Sequence, residues 1–154
     1  MEIKKATLED YESVLSLKIK SKEEERELNK ELKSIDDAKM SYAAYLRNDL
    51  RGEWRSVFIA KENTKIIGMI VGKIYRSLKI AGYERCGHIS NLYIEKDFRK
   101  KGISKKLVDE LTDWFKKRDV KKLTLELYEN NNPAINLYHN LGFKNYSIKM
   151  KKSI

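Results

Sequence analysis

Residues 99 to 104 read Arg-Lys-Lys-Gly-Ile-Ser, three cations directly ahead of a glycine where a helical repeat begins. The first amides of a helix lack intrahelical acceptors and the helix dipole is positive there, so such a start attracts anions. Gly102 carries no Cβ to hold the backbone away from one. The chemistry suggested is capture of a phosphate; a solvated basic turn is the alternative at this level. Neither G-x-x-x-x-G-K-S/T nor G-x-G-x-x-G occurs in the chain, so two common phosphate loops are excluded. Other reactive side chains are few. Cys86 has no base identifiable around it and reads as a packed thiol rather than a covalent nucleophile. His88 and His139 are the only histidines, and their spacing suits no zinc site, so metal catalysis is not expected. His88 and Ser90 lack the G-x-S-x-G elbow of a hydrolase.

The elements that must position this turn follow from periodicity. A strand is expected at about residues 2 to 6, then a helix capped by Thr7 with Leu8, Tyr11, Val14, Leu15 and Ile19 on one stripe. The acid-rich SKEEERELNKELKS follows, and Ser34 starts a second amphipathic helix that Gly52 closes. EWRSVFIA and KIIGMIVGKIY read as a hairpin, the second strand apolar on both faces and so covered on both. Residues 76 to 85 read as a loop and CGHISNLYI as a strand ending near Glu95. Residues 103 to 118 form the clearest helix, with Ile103, Leu107, Val108, Leu111, Trp114 and Phe115 along one stripe. KKLTLELY alternates as a strand, with Thr124, Glu126 and Tyr128 on one face. Asn132 and Pro133 open a last helix, Gly142 ends it, and FKNYSIKM reads as a final strand. The order is β-α-α-β-β-β-α-β-α-β, a mixed α/β fold with helices against a central sheet.

At 154 residues, with 41% apolar and 36% charged residues, the chain suits one soluble domain spanning 1–154. No apolar run is long enough to span a membrane, and the first residues do not resemble a signal peptide, so a cytoplasmic protein is expected. The net charge of +10 favours an anionic partner, but the cations are spread from Lys4 to Lys152 and interleaved with acids. A dedicated nucleic-acid face is therefore disfavoured by composition.

Beside NNPAINLYHNLGF, the turn resembles the GNAT superfamily of acetyl-coenzyme A-dependent N-acetyltransferases. Arg99, Lys100, Lys101, Gly102, Ile103 and Ser104 lie on the R/Q-x-x-G-x-G/A motif, and Asn131, Ala134, Tyr138, Gly142 and Phe143 on the N-x-x-A-x-x-x-Y…G-F segment one strand later. Ser104 stands where the family has glycine or alanine; its hydroxyl can donate to a phosphate oxygen. The resemblance implies a GNAT-like fold, acetyl-coenzyme A as acyl donor without a metal, and an amine as acceptor. It implies that the amides from Lys100 to Lys105 cradle the pyrophosphate, and that backbone groups of Leu92, Tyr93 and Ile94 pair with the pantetheine arm. Asn131 matches a residue that contacts the coenzyme, or caps the helix before Pro133.

The implied reaction is direct acetyl transfer from thioester to primary amine. An amine with a pKa near about 10.4 must lose a proton before attack, and the departing thiolate benefits from a donor. Tyr138 holds the family's position for that acid. Two positions match bases: His88, eleven residues before Arg99, and Glu126 on the following strand. Either could act through water, and bulk water is a third acceptor. The acceptor, a small amine, a polyamine or a protein amine, is implied to meet residues 15 to 50 and 76 to 85. A homodimer is compatible with the sequence, and a non-catalytic acyl-coenzyme A-binding module is the alternative function.

Overall fold

The apolar run KIIGMIVGKIY becomes the centre of a sheet. In the computed structural model, which describes residues 1–32, 34–79 and 82–154 apart from the side chains at 78, 79, 82 and 83, it lies within β3 (Lys65–Lys79). β3 pairs antiparallel with β2 (Arg55–Glu62) and β4 (Gly82–Ile94). β1 (Glu2–Lys5) extends the sheet antiparallel to β2, and β5 (Lys122–Thr124) runs parallel to β4, giving the order β1-β2-β3-β4-β5.

Both faces are covered, as the unbroken apolar character of β3 requires. On one face α3 (Ile103–Lys116) sets Ile103, Leu107, Val108, Leu111, Trp114 and Phe115 against Phe58, Ile70, Ile74 and Ile89. Each such burial contributes about 1.5–3 kcal/mol. α4 (Asn132–Asn140) adds Tyr138 to this cluster. On the other face α1 (Tyr11–Leu28) and α2 (Ile35–Arg51) bring Val14, Leu17 and Leu46 onto Val57, Ile59, Met69, Val71 and Tyr93. Two glycines let α3 come close. A Cβ on Gly72 would stand 2.6 Å from a Leu111 methyl, one on Gly87 2.6 Å from a Leu123 methyl, and both 2.9 Å from the Phe115 ring.

Three expectations are corrected. Residues 143 to 154 form no strand, so the expected closing β element is absent. Tyr146, Ile148 and Met150 share the parity of a strand face but are 91%, 90% and 90% exposed, with no surface to cover them. Their natural neighbour, β5, is only three residues long rather than the eight of KKLTLELY, and Glu126 lies beyond its end. Residues 76 to 85 are largely strand: Arg76 pairs with Arg85 and Ser77 with Glu84. Polar side chains at Arg76, Ser77, Glu84 and Arg85 disguise this pairing; residues 80 and 81, and residue 33 in the stretch expected to meet the acceptor, lie outside the described residues. The acid-rich segment continues α1 to Leu28, supported by an ion pair between Lys22 and Glu25.

Candidate active site

The turn after β4 is shaped by two left-handed residues, Lys100 at φ 61° and Gly102 at φ 75°. Gly102 is the N-cap of α3, and the first helical bond runs from the Lys106 amide to the Gly102 carbonyl. Among the described residues, no backbone carbonyl accepts from the amides of Lys100 to Lys105. A Cβ on Gly102 would meet nothing within 4 Å, so the space beside these amides is open to an anion. Lys100 and Lys101 are exposed at its rim, and Ser104 is half-buried. Arg99 is engaged elsewhere. Its guanidinium donates to both carboxylate oxygens of Glu24 on α1 at 2.9 Å and to the Ile94 carbonyl at 2.9 Å, and lies over the Tyr93 ring. Its charge clasps α1 to the turn.

Among the described residues, β4 and β5 pair at Cys86–Lys122, Gly87–Leu123 and His88–Thr124. From Ile89 to Ile94 the β4 edge away from β3 has no strand partner among the described residues, and Leu92, Tyr93 and Ile94 lie on that edge beside the turn. The residues expected to meet an extended arm are thus on unpaired strand backbone. Tyr138 is 6% exposed and belongs to the cluster that includes Ile89, Ile94 and Ile103. Burial pushes its phenol above the ordinary tyrosine value, so it is protonated at neutral pH. Asn131 caps α4, its side-chain oxygen accepting from the Ala134 amide at 3.3 Å.

On the α1/α2 face, Arg55, Lys73, His88 and Thr124 form one cross-strand row over β2, β3, β4 and β5. Arg55, Lys73, Tyr75, His88 and Glu126 line a cavity of about 490 Å³. The Thr124 hydroxyl donates to the Gly87 carbonyl at 3.2 Å. With the Thr124 proton on the Gly87 carbonyl, His88 Nδ1, 3.2 Å from Thr124 Oγ1, donates in that contact. That arrangement pairs with the tautomer in which Nε2 is the proton acceptor. The Tyr75 hydroxyl reaches the same Thr124 oxygen at 3.4 Å. Burial, then the Lys73 ammonium, holds the imidazole below its ordinary value against the opposing pull of Glu126. Arg55 is anchored by Asp49 at 2.9 Å, and the other Asp49 oxygen takes buried Lys18 at 3.3 Å.

The structure therefore gathers His88 and Glu126 in one cavity and sets Tyr138 in the core on the opposite face. Thr124, Tyr75, Lys73 and Arg55 adjoin His88 or line its cavity, neighbours that the sequence reading did not assign. The alternation placing Thr124 and Glu126 on one face was the available signal; that this face meets His88 needed the β4–β5 register. Cys86 is buried, and His139 is exposed, 3.0 Å from Asn145.

The acetyltransferase (GNAT) family profile matches residues 19–143. N-alpha-acetyltransferase 30 of Schizosaccharomyces pombe is 30% identical over 113 residues, 71% of this chain and 72% of that protein. The ribosomal protein bS18-alanine N-acetyltransferase of Escherichia coli K12 is 36% identical over 59 residues, 38% of this chain and 40% of that protein. Aminoglycoside N-acetyltransferase AAC(6')-Iy, solved with coenzyme A, superposes with a TM-score of 0.78 at 14% identity, covering 99% of this chain and 93% of that one, a likeness of fold. With the family profile matched over most of its length and the fold and relatives in agreement, the chain belongs to the GNAT family and is an N-acetyltransferase.

Proposed function

We propose that this enzyme acetylates the α-amino group at the N-terminus of a protein or peptide, in the cytoplasm, with residues 1–154 acting as one domain. The observation that carries the acceptor class is the depressed imidazole of His88 beside Lys73 and Arg55. A polycationic acceptor is repelled by the Lys73 ammonium, the cation of the cavity that acts on His88. An α-amine has a pKa of about 7.7–8.0, so roughly one in ten is already neutral at pH 7, against about one lysine side chain in 2,500. A weak base such as His88 suits the former. The relatives described above, named for N-alpha-acetylation and for acetylation of a ribosomal protein's alanine, support the same class.

The donor's pyrophosphate fits the amides of Lys100 to Lys105, and its extended arm fits the free β4 edge at Leu92, Tyr93 and Ile94. The thioester supplies the acetyl group: a C–N bond forms at its carbonyl carbon, the C–S bond breaks, and the sulfur departs with the electron pair. His88 Nε2 takes the amine proton, directly or through water, with Glu126 holding the positive charge that results. Tyr138 faces a thiol of ordinary pKa about 8.5, well below its own, so full proton transfer to sulfur is uphill. Its hydroxyl acts by hydrogen-bond donation to the departing thiolate.

A peptide with a free N-terminus and an internal lysine, incubated with enzyme and acetyl-coenzyme A and mapped by mass spectrometry, tests the acceptor. Acetylation at the α-amine is expected. Modification of the lysine alone, or of aminoglycosides and polyamines but no peptide, would overturn the assignment.

A further inference from the structure

Where β3 and β4 project beyond the core, Arg76 and Arg85 stand directly opposite each other. Both guanidinium groups lie over the ring of Trp54, at 5.9 and 5.0 Å from its centroid. Arg85 also donates to the Arg118 carbonyl at 2.9 Å, and the Arg118 guanidinium lies 4.4 Å over Trp114. Among the described residues, none of these arginines has a carboxylate within ion-pair distance. The acids adjacent in sequence are already engaged, Asp119 with Lys121 and Glu84 with Lys122, and Asp113 pairs with Lys116. Like charges directly opposite on neighbouring strands destabilise a sheet, and stacking on an indole offsets this only in part. The fold thus holds a cluster of cations that it does not neutralise, in a chain of net charge +10.

We propose that this surface binds single-stranded nucleic acid, Arg76, Arg85 and Arg118 meeting phosphates and Trp54 stacking on a base as a guanidinium moves from its ring to a phosphate. Guanidinium forks match phosphate oxygens, and an aromatic ring set among cations is the common arrangement for unpaired strands. Trp54 is 39% exposed, and Arg76 and Arg85 are exposed. Composition alone disfavours a dedicated face because the cations are scattered along the chain. Arg76 and Arg85 come together only through the hairpin register, and Trp54 joins them because its carbonyl accepts the Ile74 amide at 2.8 Å.

The test is fluorescence anisotropy of the full chain with labelled RNA and DNA single strands of about twelve nucleotides, a duplex, and polyglutamate as competitor. Three phosphate contacts give a slope of log affinity against log salt of about −2. Arg76→Glu with Arg85→Glu should weaken binding at least about tenfold and flatten that slope by roughly 1.4. Trp54→Leu should cost about tenfold by loss of stacking. Arg85→Gln serves as a milder second variant, and all variants should keep the thermal stabilisation by acetyl-coenzyme A. A preference for RNA or for DNA supports the proposal and names the strand. It is overturned by an affinity unchanged in the double variant, by absence of binding at about 50 mM salt, or by tighter binding of duplex or polyglutamate.

Discussion

Replacing Gly102 with alanine, and separately Gly142 with alanine, distinguishes the cost of backbone conformation from the cost of blocking an anion. Both glycines have positive φ, 75° and 87°, and a Cβ at either meets nothing within 4 Å. Neither substitution creates a clash, so each should lose only the left-handed penalty of about 1–2 kcal/mol. For a chain of this size that lowers the melting midpoint by roughly 3–6 °C. The variants part when the donor is added. At about 100 times Kd, acetyl-coenzyme A stabilises a protein that binds it only when folded by about 2.7 kcal/mol. At Gly102 the new methyl stands in the space beside the free amides and displaces the pyrophosphate from two of them. Hydrogen bonds to a charged group contribute about 1.5–3 kcal/mol each, so affinity should fall at least about 100-fold. At the same ligand concentration the stabilisation then shrinks to at most about 0.4 kcal/mol. Differential scanning fluorimetry with and without acetyl-coenzyme A reads both effects. Gly142→Ala should retain the full ligand-induced rise and Gly102→Ala should lose most of it; an equal rise in both would refute the cradle.

Four further outcomes are expected. The acid limb of kcat/KM should reflect His88 and lie below the ordinary imidazole range, activity falling as the ring takes up its proton. Lys73→Ala removes a repelling cation and should move that limb to higher pH, while Glu126→Gln removes an attracting anion and should move it lower; abolition of the limb by Glu126→Gln would instead make Glu126 the base. By the same depressed pKa, the unfolded chain protonates His88 first, so its contribution to stability is lost as pH falls from about 6.5 through the folded value and then levels off. Asp49→Ala strands the buried Lys18 ammonium and should cost about 3 kcal/mol in urea unfolding, whereas Lys18→Met, which leaves Asp49 bonded to Arg55, should cost less than about 1.5. Tyr138→Phe should lower kcat about 100-fold with little change in KM or melting midpoint, and unaltered turnover would remove the donor role.

What the sequence disclosed, and what it hid, divides along local and non-local information. α3 was readable because its apolar stripe is contained in one segment, and β3 because it is apolar on both faces. The turn at Gly102 was readable because the backbone needs and the motif occupy the same six residues. The Thr124–His88 contact was not, since it depends on a three-residue parallel register between segments 36 positions apart. The C-terminal run shows the limit of alternation: Tyr146, Ile148 and Met150 obey a strand's period, but period does not supply a partner. Arg76 and Arg85 show the converse, a polar stretch that pairs as strand because its neighbours fix the register.

On the proposed function, with the donor at the Gly102 turn and the acceptor against α1, the Arg99–Glu24 clasp links the two substrate regions reciprocally. The same guanidinium is adjacent to the anion turn and holds the far half of α1, which Lys20–Glu95 and Lys96–Glu24 also tie down by charge alone. An anion that recruits Arg99 does so at the expense of Glu24, and whatever factor this takes from the docking of α1, a docked α1 takes from the anion. Because all three ion pairs are surface contacts, salt weakens that coupling while leaving the apolar seat of α1 at Val14 and Leu17 intact. On that reading, ionic strength should tune the cross-talk between donor and acceptor sides without unfolding α1.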